Sequence, residues 1–153
     1  MTDYVVTLNE IRDAVKERLE DAEIKNTKGR LAKIYKRAVP EQLGPNNVPL
    51  ISVFKREVSG DATEADQPDI RLPAKLMLGV GIADYSPLDL DAAEDLTDDL
   101  INKIIDALSE DLSLGDIVYG ITVARIIWDE DRKEGIWFSL PTMELELTSV
   151  KVS

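Results

Sequence analysis

The alternation of apolar residues between Ile70 and Ala83 constrains the fold of this 153-residue chain more than any other feature. Every second position is apolar: Ile70, Leu72, Ala74, Leu76, Leu78, Val80 and Ile82. A period of two over this length places one face of a β-strand in a core. Gly79 and Gly81 leave the other face bare, so we expect another group to pack closely there or the strand to bend.

Two amphipathic helices are predicted around this strand. The first spans Thr7–Ala22, and its Thr7 and Glu10 match a capping box, in which side chains satisfy free N–H groups of the first turn. The second spans Pro87–Leu112, with Ser86 as the expected N-cap residue. Both show apolar residues at helical spacing, which predicts that each covers a core with one face.

The segments before the alternating strand predict further extended structure. Leu50–Val58 is predicted to be a strand, and Pro40–Pro49 a loop because of its prolines, glycine and asparagines. Lys25–Arg37 is interpreted as a twisted strand or an irregular extended segment.

The C-terminal third predicts a long hairpin. Its strands are Val118–Trp128 and Gly135–Val150, and its predicted loop is Asp129–Gly135. The apolar positions change phase after Pro141, which predicts a β-bulge there. Together the elements predict a single α+β domain over residues 1–153: a mainly antiparallel sheet of four to five strands, with two helices on one face.

The absence of cysteine and histidine narrows the possible chemistry. It excludes disulfides, thiolate nucleophiles, zinc sites built on Cys or His, and every His-dependent triad. The carboxylates of the second helix lie on its polar face, and Asp129–Asp131 lacks the spacing of a calcium loop. We therefore predict a protein that is not an enzyme and that uses no cofactor or metal.

The net charge of −12, from 18 basic and 30 acidic residues, argues against wrapping of DNA by phosphate neutralisation. No apolar run approaches the ~20 residues of a membrane span, and residues 1–9 do not resemble a signal peptide. We expect no membrane partner and a protein that stays in the cytoplasm where it is made.

Charges of opposite sign are concentrated in two segments. The basic segment contains Lys25, Lys28, Arg30, Lys33, Lys36 and Arg37. The acidic helix carries nine acids and one lysine between Asp89 and Asp111, and its candidate contact residues are Asp95, Asp98 and Asp99. Unlike surfaces suit head-to-tail contacts between copies. We therefore predict that the basic segment of one subunit meets an acidic surface of the next.

The stretch Ser59–Asp69 is polar and acidic, so we predict that it is mobile in an isolated subunit. Its candidate assembly residues are Ser59, Gly60, Asp61, Thr63, Glu64, Asp66, Gln67 and Asp69.

In their order along the chain, these elements resemble the tail-terminator, or tail-completion, proteins of long-tailed bacteriophages. The resemblance is carried by Leu8-Asn9-Glu10-Ile11, Pro49-Leu50-Ile51-Ser52-Val53-Phe54, Leu72-Pro73-Ala74-Lys75-Leu76-Met77-Leu78, Leu112-Ser113-Leu114-Gly115-Asp116-Ile117-Val118 and Met143-Glu144-Leu145-Glu146-Leu147. It is a resemblance of pattern and order, and it covers nearly the whole chain.

The resemblance implies a hexameric ring at the head-proximal end of the tail tube, which ends tube polymerisation and offers a surface to the head or neck. The implied partners are further copies of the chain, the tail tube protein and a neck or head-completion protein. The implied location is the virion, after assembly in the host cytoplasm. A lumen edged by carboxylates would let DNA pass without specific binding, because like charges repel within a Debye length of ~8 Å.

Three alternative functions stay open at this point. The chain could be a head-completion, neck or baseplate component of the same class of virus. It could be a cellular α/β domain that binds a ligand or regulates another protein. It could also be an enzyme that relies on carboxylates alone.

Overall fold

The computed structural model describes residues 4–5, 8–35, 43–59, 75–115, 118–149 and 151–152. They form two helices and a mostly antiparallel sheet, which is the predicted α+β fold. The helices are α1 (Leu8–Asp21) and α2 (Leu90–Ser109). The strands are β1 (Tyr4–Val5), β2 (Lys33–Tyr35), β3 (Leu50–Ser59), β4 (Lys75–Ser86), β5 (Val118–Ile127), β6 (Glu130–Lys133), β7 (Ile136–Ser139), β8 (Thr142–Ser149) and β9 (Lys151–Val152).

The alternating segment forms β4, which lies in the middle of the sheet. It pairs antiparallel with β3 on one side and with β7 and β8 on the other. Strand β2 adds to β3 in parallel and forms one edge, and β5 and β6 form the opposite edge. The short strands β1 and β9 pair separately from this sheet.

The C-terminal hairpin is confirmed, and it is longer than predicted. Strand β5 pairs with β8, and β6 continues the same register along β7, with Asp129 O accepting a hydrogen bond from Leu140 N (2.8 Å) at the junction. The chain reverses at Glu134 and Gly135, whose φ angles are 53° and 79°. Positive φ at both positions is the requirement of a type I′ turn. The predicted loop Asp129–Gly135 is therefore wrong, because most of it is strand.

The predicted bulge at Pro141 is also wrong. Gly81 lies opposite Thr142 and Asp84 lies opposite Ser139, so the register along β4 is unbroken across the proline. The apolar phase changes because the two halves of this hairpin arm bury opposite faces. Bulges occur instead in β3 and β5.

Both helices contribute to the main core on one face of the sheet. Period-two residues of β3, β4 and β8 supply the other side of this core. Its fully buried large side chains include Ile11, Leu19, Ile51, Leu76, Leu78, Ile82, Leu100, Ile104, Met143 and Leu145. A smaller cluster on the opposite face contains Val48, Leu50, Ala83 and Phe138.

A close contact occurs at Gly79, on the face away from the helices. A Cβ atom at this position would lie 2.4 Å from the Phe54 ring. The predicted close packing against the bare face of β4 is therefore confirmed, and Phe54 is the group that provides it.

Helix α2 begins later than predicted. Its N-cap residue is Asp89, whose side chain accepts a hydrogen bond from Ala92 N (2.7 Å). Ser86, the predicted N-cap, instead ends β4, and its hydroxyl accepts a hydrogen bond from Leu88 N (3.1 Å). The helix starts later because β4 continues through Ser86, and Asp89 supplies the oxygen that accepts from the first turn.

The carboxylates at the end of α2 have a structural role. Asp111 accepts hydrogen bonds from Ser113 Oγ (2.6 Å), Ser113 N (3.0 Å) and Gly115 N (2.8 Å), and lies 3.4 Å from the Arg18 guanidinium. These donors lower the pKa of Asp111, the Ser113 hydroxyl most. The acid thus closes the turn after the helix and links it to α1.

Candidate functional site

A tight turn organises the first half of the basic segment. Lys25 and Leu31 form an isolated antiparallel bridge, and we call residues 25–31 the basic turn. The buried side chain of Asn26 lies inside it. Its Oδ1 accepts hydrogen bonds from the backbone N–H groups of Lys28 (3.0 Å) and Arg30 (2.9 Å). Asparagine is well suited to such local bonding, which fixes the backbone positions from which the Lys28 and Arg30 side chains project.

Two basic side chains hold the following loop. Arg30 donates to Pro45 O (2.8 Å) and to Asn46 O (3.4 Å), and Lys33 Nζ donates to Asn46 O (2.8 Å). Carbonyl groups do not neutralise a cation, so Arg30 and Lys33 remain exposed positive charges. Lys36 and Arg37 lie outside the described residues.

The basic turn is anchored to the sheet by a buried carboxylate that the sequence analysis did not single out. Asn26 Nδ2 donates to Asp84 Oδ2 (3.1 Å), and Tyr85 N donates to Asp84 Oδ1 (2.8 Å). Burial raises the pKa of Asp84, although these two hydrogen bonds and the charges of Lys28 and Arg30 oppose the rise. The signal was present in the sequence, because Asp84 continues the buried phase of β4.

The basic turn and α2 lie side by side within one subunit. Lys103 Nζ donates to Lys25 O (2.7 Å), and Lys28 and Asp95 both line a groove of about 210 Å³ at the start of α2. A second groove of about 500 Å³ is lined by residues of both signs, among them Lys25 and Asp106. The two predicted surfaces therefore lie next to each other within one chain.

The three acidic candidates of α2 differ in environment. Asp95 and Asp98 are exposed, whereas Asp99 is half-buried and forms an ion pair with Lys103 (2.9 Å) one helical turn on. Asp98 thus remains an exposed acid of α2 that could meet another copy.

Of the predicted mobile loop, only Ser59 falls among the described residues. It is the last residue of β3 and lies opposite Lys75, so its assignment to the loop was wrong. Gly60, Asp61, Thr63, Glu64, Asp66, Gln67 and Asp69 lie outside the described residues.

A charge cluster on the sheet face away from the helices was also missed. The Glu144 side chain, 7% exposed, accepts hydrogen bonds from Arg125 Nε (2.8 Å) and Nη2 (3.2 Å), and lies 3.4 Å from Arg56 Nε. The Arg125 hydrogen bonds lower the pKa of Glu144 and raise that of Arg125. Two arginines on different strands thus hold one carboxylate and tie β3, β8 and β5 together.

The edge formed by β5 and β6 is the most exposed apolar part of the sheet. It runs from Val118 to Lys133 with one junction, at Trp128 and Asp129, and its only partners among the described strands are β8 and β7. Val123, Ile127 and Trp128 are 39–42% exposed along it. Edge strands usually avoid such exposure, because free backbone groups and apolar side chains invite pairing with another chain.

No protein-family model and no curated protein matches this sequence. Within the described ranges, no cluster of three acidic, His or Cys residues has the arrangement of a metal site. Neither α1 nor α2 has the length and apolarity of a membrane-spanning helix.

Proposed function

We propose that this protein is a structural component of a long-tailed bacteriophage: a ring-forming tail terminator. Six copies cap the head-proximal end of the tail tube, stop its polymerisation and present a joining surface to the head or neck. The partners in this proposal are other copies of the chain, the tail tube protein and a neck or head-completion protein.

The long exposed edge of β5 and β6 carries the proposal. Its apolar side chains are exposed on a strand whose outer side has no partner in the described part of the chain. A soluble protein retains such an edge where it meets another protein. The α+β architecture, a sheet with two helices on one face, is also the one predicted from the order of elements that carries the resemblance.

The experiment is electron microscopy of tails assembled with and without the protein. With it, we expect tails of uniform length and a ring at the head-proximal end. Without it, we expect tubes of uncontrolled length. Binding to purified tail tube distinguishes a terminator from a head-completion component, which would bind portal or capsid protein. Uniform tails in the absence of the protein would contradict the proposal.

A further inference from the structure

The edge strands β2 and β5 lie at the same level along the strand direction, and they run in opposite directions. One row of paired residues crosses the whole sheet from Tyr35 through Ser52, Gly81 and Thr142 to Ile127. Because β2 runs parallel to β3 while the other neighbours alternate, β2 and β5 are antiparallel. A second copy placed alongside in the same orientation would set its β2 antiparallel to β5, which is the pairing that dominates this sheet.

The row two residues further along ends in opposite charges. Lys33 lies opposite Leu50, and Leu50 lies opposite Ala83. The unbroken register of β4 continues this row to Leu140, which donates to Asp129 O. Lys33 and Asp129 are both exposed, and no ion pair holds either of them among the described residues.

The row between these two ends in apolar side chains. Ile34 pairs with Ile51, Ile51 with Ile82, and Ile82 N donates to the carbonyl of Pro141, whose place in the hairpin is opposite Trp128. Ile34 packs at the margin of the main core, and Trp128 is 42% exposed. Three successive rows therefore carry matching residues at their two ends: opposite charges in one row and apolar side chains in the other two.

We infer that β2 of one copy docks antiparallel on residues 127–129 of the next copy. In this register Lys33 meets Asp129, Ile34 meets Trp128 and Tyr35 meets Ile127. The contact joins two different surfaces, so it is head-to-tail and can close into a ring. This inference rests on the proposed ring and names its subunit contact: the basic segment meets the acidic end of an edge strand rather than the acidic helix.

Disulfide trapping tests this register cleanly, because the chain contains no cysteine. Two full-length variants, Lys33→Cys and Asp129→Cys, are purified, mixed at high concentration and oxidised. Directly opposed residues of an antiparallel pair have Cβ atoms about 4.5–5.5 Å apart, close enough for a disulfide after a small adjustment. We expect a crosslinked dimer in the mixture and little in either variant alone, because a head-to-tail contact does not bring a residue next to its own copy.

Asp98→Cys is the matched control, because Asp98 is also an exposed aspartate but lies on α2. Mixed with Lys33→Cys, it should crosslink no more than either variant alone. A Lys33–Asp98 crosslink that exceeds the Lys33–Asp129 crosslink would overturn the inference in favour of the helix. Equal crosslinking in all mixtures would overturn it as well.

A charge-swap series gives a second measurement that does not depend on a disulfide. Lys33→Asp and Asp129→Lys should each weaken self-association, measured by sedimentation, by about tenfold, because each places like charges together. The double variant Lys33→Asp/Asp129→Lys should recover most of this loss. Failure of the double variant to recover would count against direct contact between the two positions.

The inference and the proposed function can fail separately. If tails are capped by this protein but Lys33 and Asp129 do not crosslink in the capped particles, the edge contact is wrong and termination stands. If the crosslink forms efficiently but tail length is unaffected by the protein, the edge contact stands and termination is wrong.

Discussion

Asn26 joins the basic turn to the central strand of the sheet through one side chain. Its amide group closes the basic turn through Lys28 and Arg30, and it reaches the buried carboxylate of Asp84 at the end of β4. The positions of the basic side chains therefore depend on a residue that carries no charge. This dependence could not be predicted from the sequence, because 58 residues separate Asn26 from Asp84.

Replacing Asn26 by alanine should destabilise the fold by about 3 kcal/mol. The change removes two bonds within the turn and leaves one oxygen of the buried Asp84 carboxylate without its donor. Thr27→Ala, at the exposed neighbouring position, is the control and should change stability by about 0.5 kcal/mol or less. Urea unfolding followed by circular dichroism measures both values, and similar losses in the two variants would refute the role of Asn26.

Asp84 predicts a pH dependence of stability with a defined sign. Because burial raises its pKa in the folded state, the folded protein keeps the proton to higher pH than the unfolded chain. Its contribution to stability is therefore greatest below the unfolded value of roughly 3.9 and decreases as the pH rises through the folded value. Lys28 and Arg30 face this carboxylate and reduce the effect without reversing it.

The variant Asp84→Asn isolates this contribution. Its unfolding free energy minus that of the parent should increase as the pH is raised from about 4 to 7, because the amide does not ionise. Other carboxylates cancel in this difference. A difference that is constant over the range would show that Asp84 titrates alike in both states.

At the scale of the elements, the sequence patterns predicted most strands and both helices, but several predicted boundaries differ from those of the structure. The period-two pattern identified β4 because its buried face is continuous, whereas β6 has the sequence Glu-Asp-Arg-Lys and offers no apolar pattern. This strand forms because β7 pairs with it, and because Arg132 lies over the Trp137 ring at 5.0 Å. Such pairing is a tertiary property that local periodicity does not contain.

The contact between Phe54 and Gly79 predicts that β4 does not tolerate a side chain at position 79. Gly79→Ala should destabilise the protein by about 1–3 kcal/mol, because the new methyl group would collide with the aromatic ring. Gly120→Ala is the matched control in β5, where no atom lies within 4 Å of an added Cβ. Thermal unfolding compares the two, and the double variant Gly79→Ala/Phe54→Ala should show less than the sum of the two single losses.

At the scale of the whole molecule, the central strand of the sheet and its edge strands differ in the number of strands that pair with them. Strand β4 is hydrogen-bonded on both sides, whereas β2 and β5 each have one partner strand in the described structure. The sequence predicted the fold class because core patterns are local, but it did not predict which strands form the edges. Strand order depends on contacts between distant segments, as the parallel pairing of β2 with β3 illustrates.

Native-state hydrogen exchange should reproduce this arrangement. We expect the amides of Leu78–Ile82 to exchange only through global unfolding, because both neighbouring strands must separate first. Alternate amides of β5 should exchange quickly in the dispersed subunit, and the amide that points outward among residues 127–129 should become protected in the assembled particle. Rapid exchange throughout β4, or unchanged exchange at residues 127–129 after assembly, would contradict this expectation.

The placement of both helices on one face has a consequence for any belt made by joining the sheets of successive copies. One wall of the belt would be clad in helices that expose Asp95 and Asp98, and would repel a polyanion. The other wall would be bare strand, where Glu144 is paired with Arg56 and Arg125. Such a belt is two-sided, so the direction in which it curls decides whether a passing nucleic acid meets the carboxylates of α2 or the paired charges of the strand face.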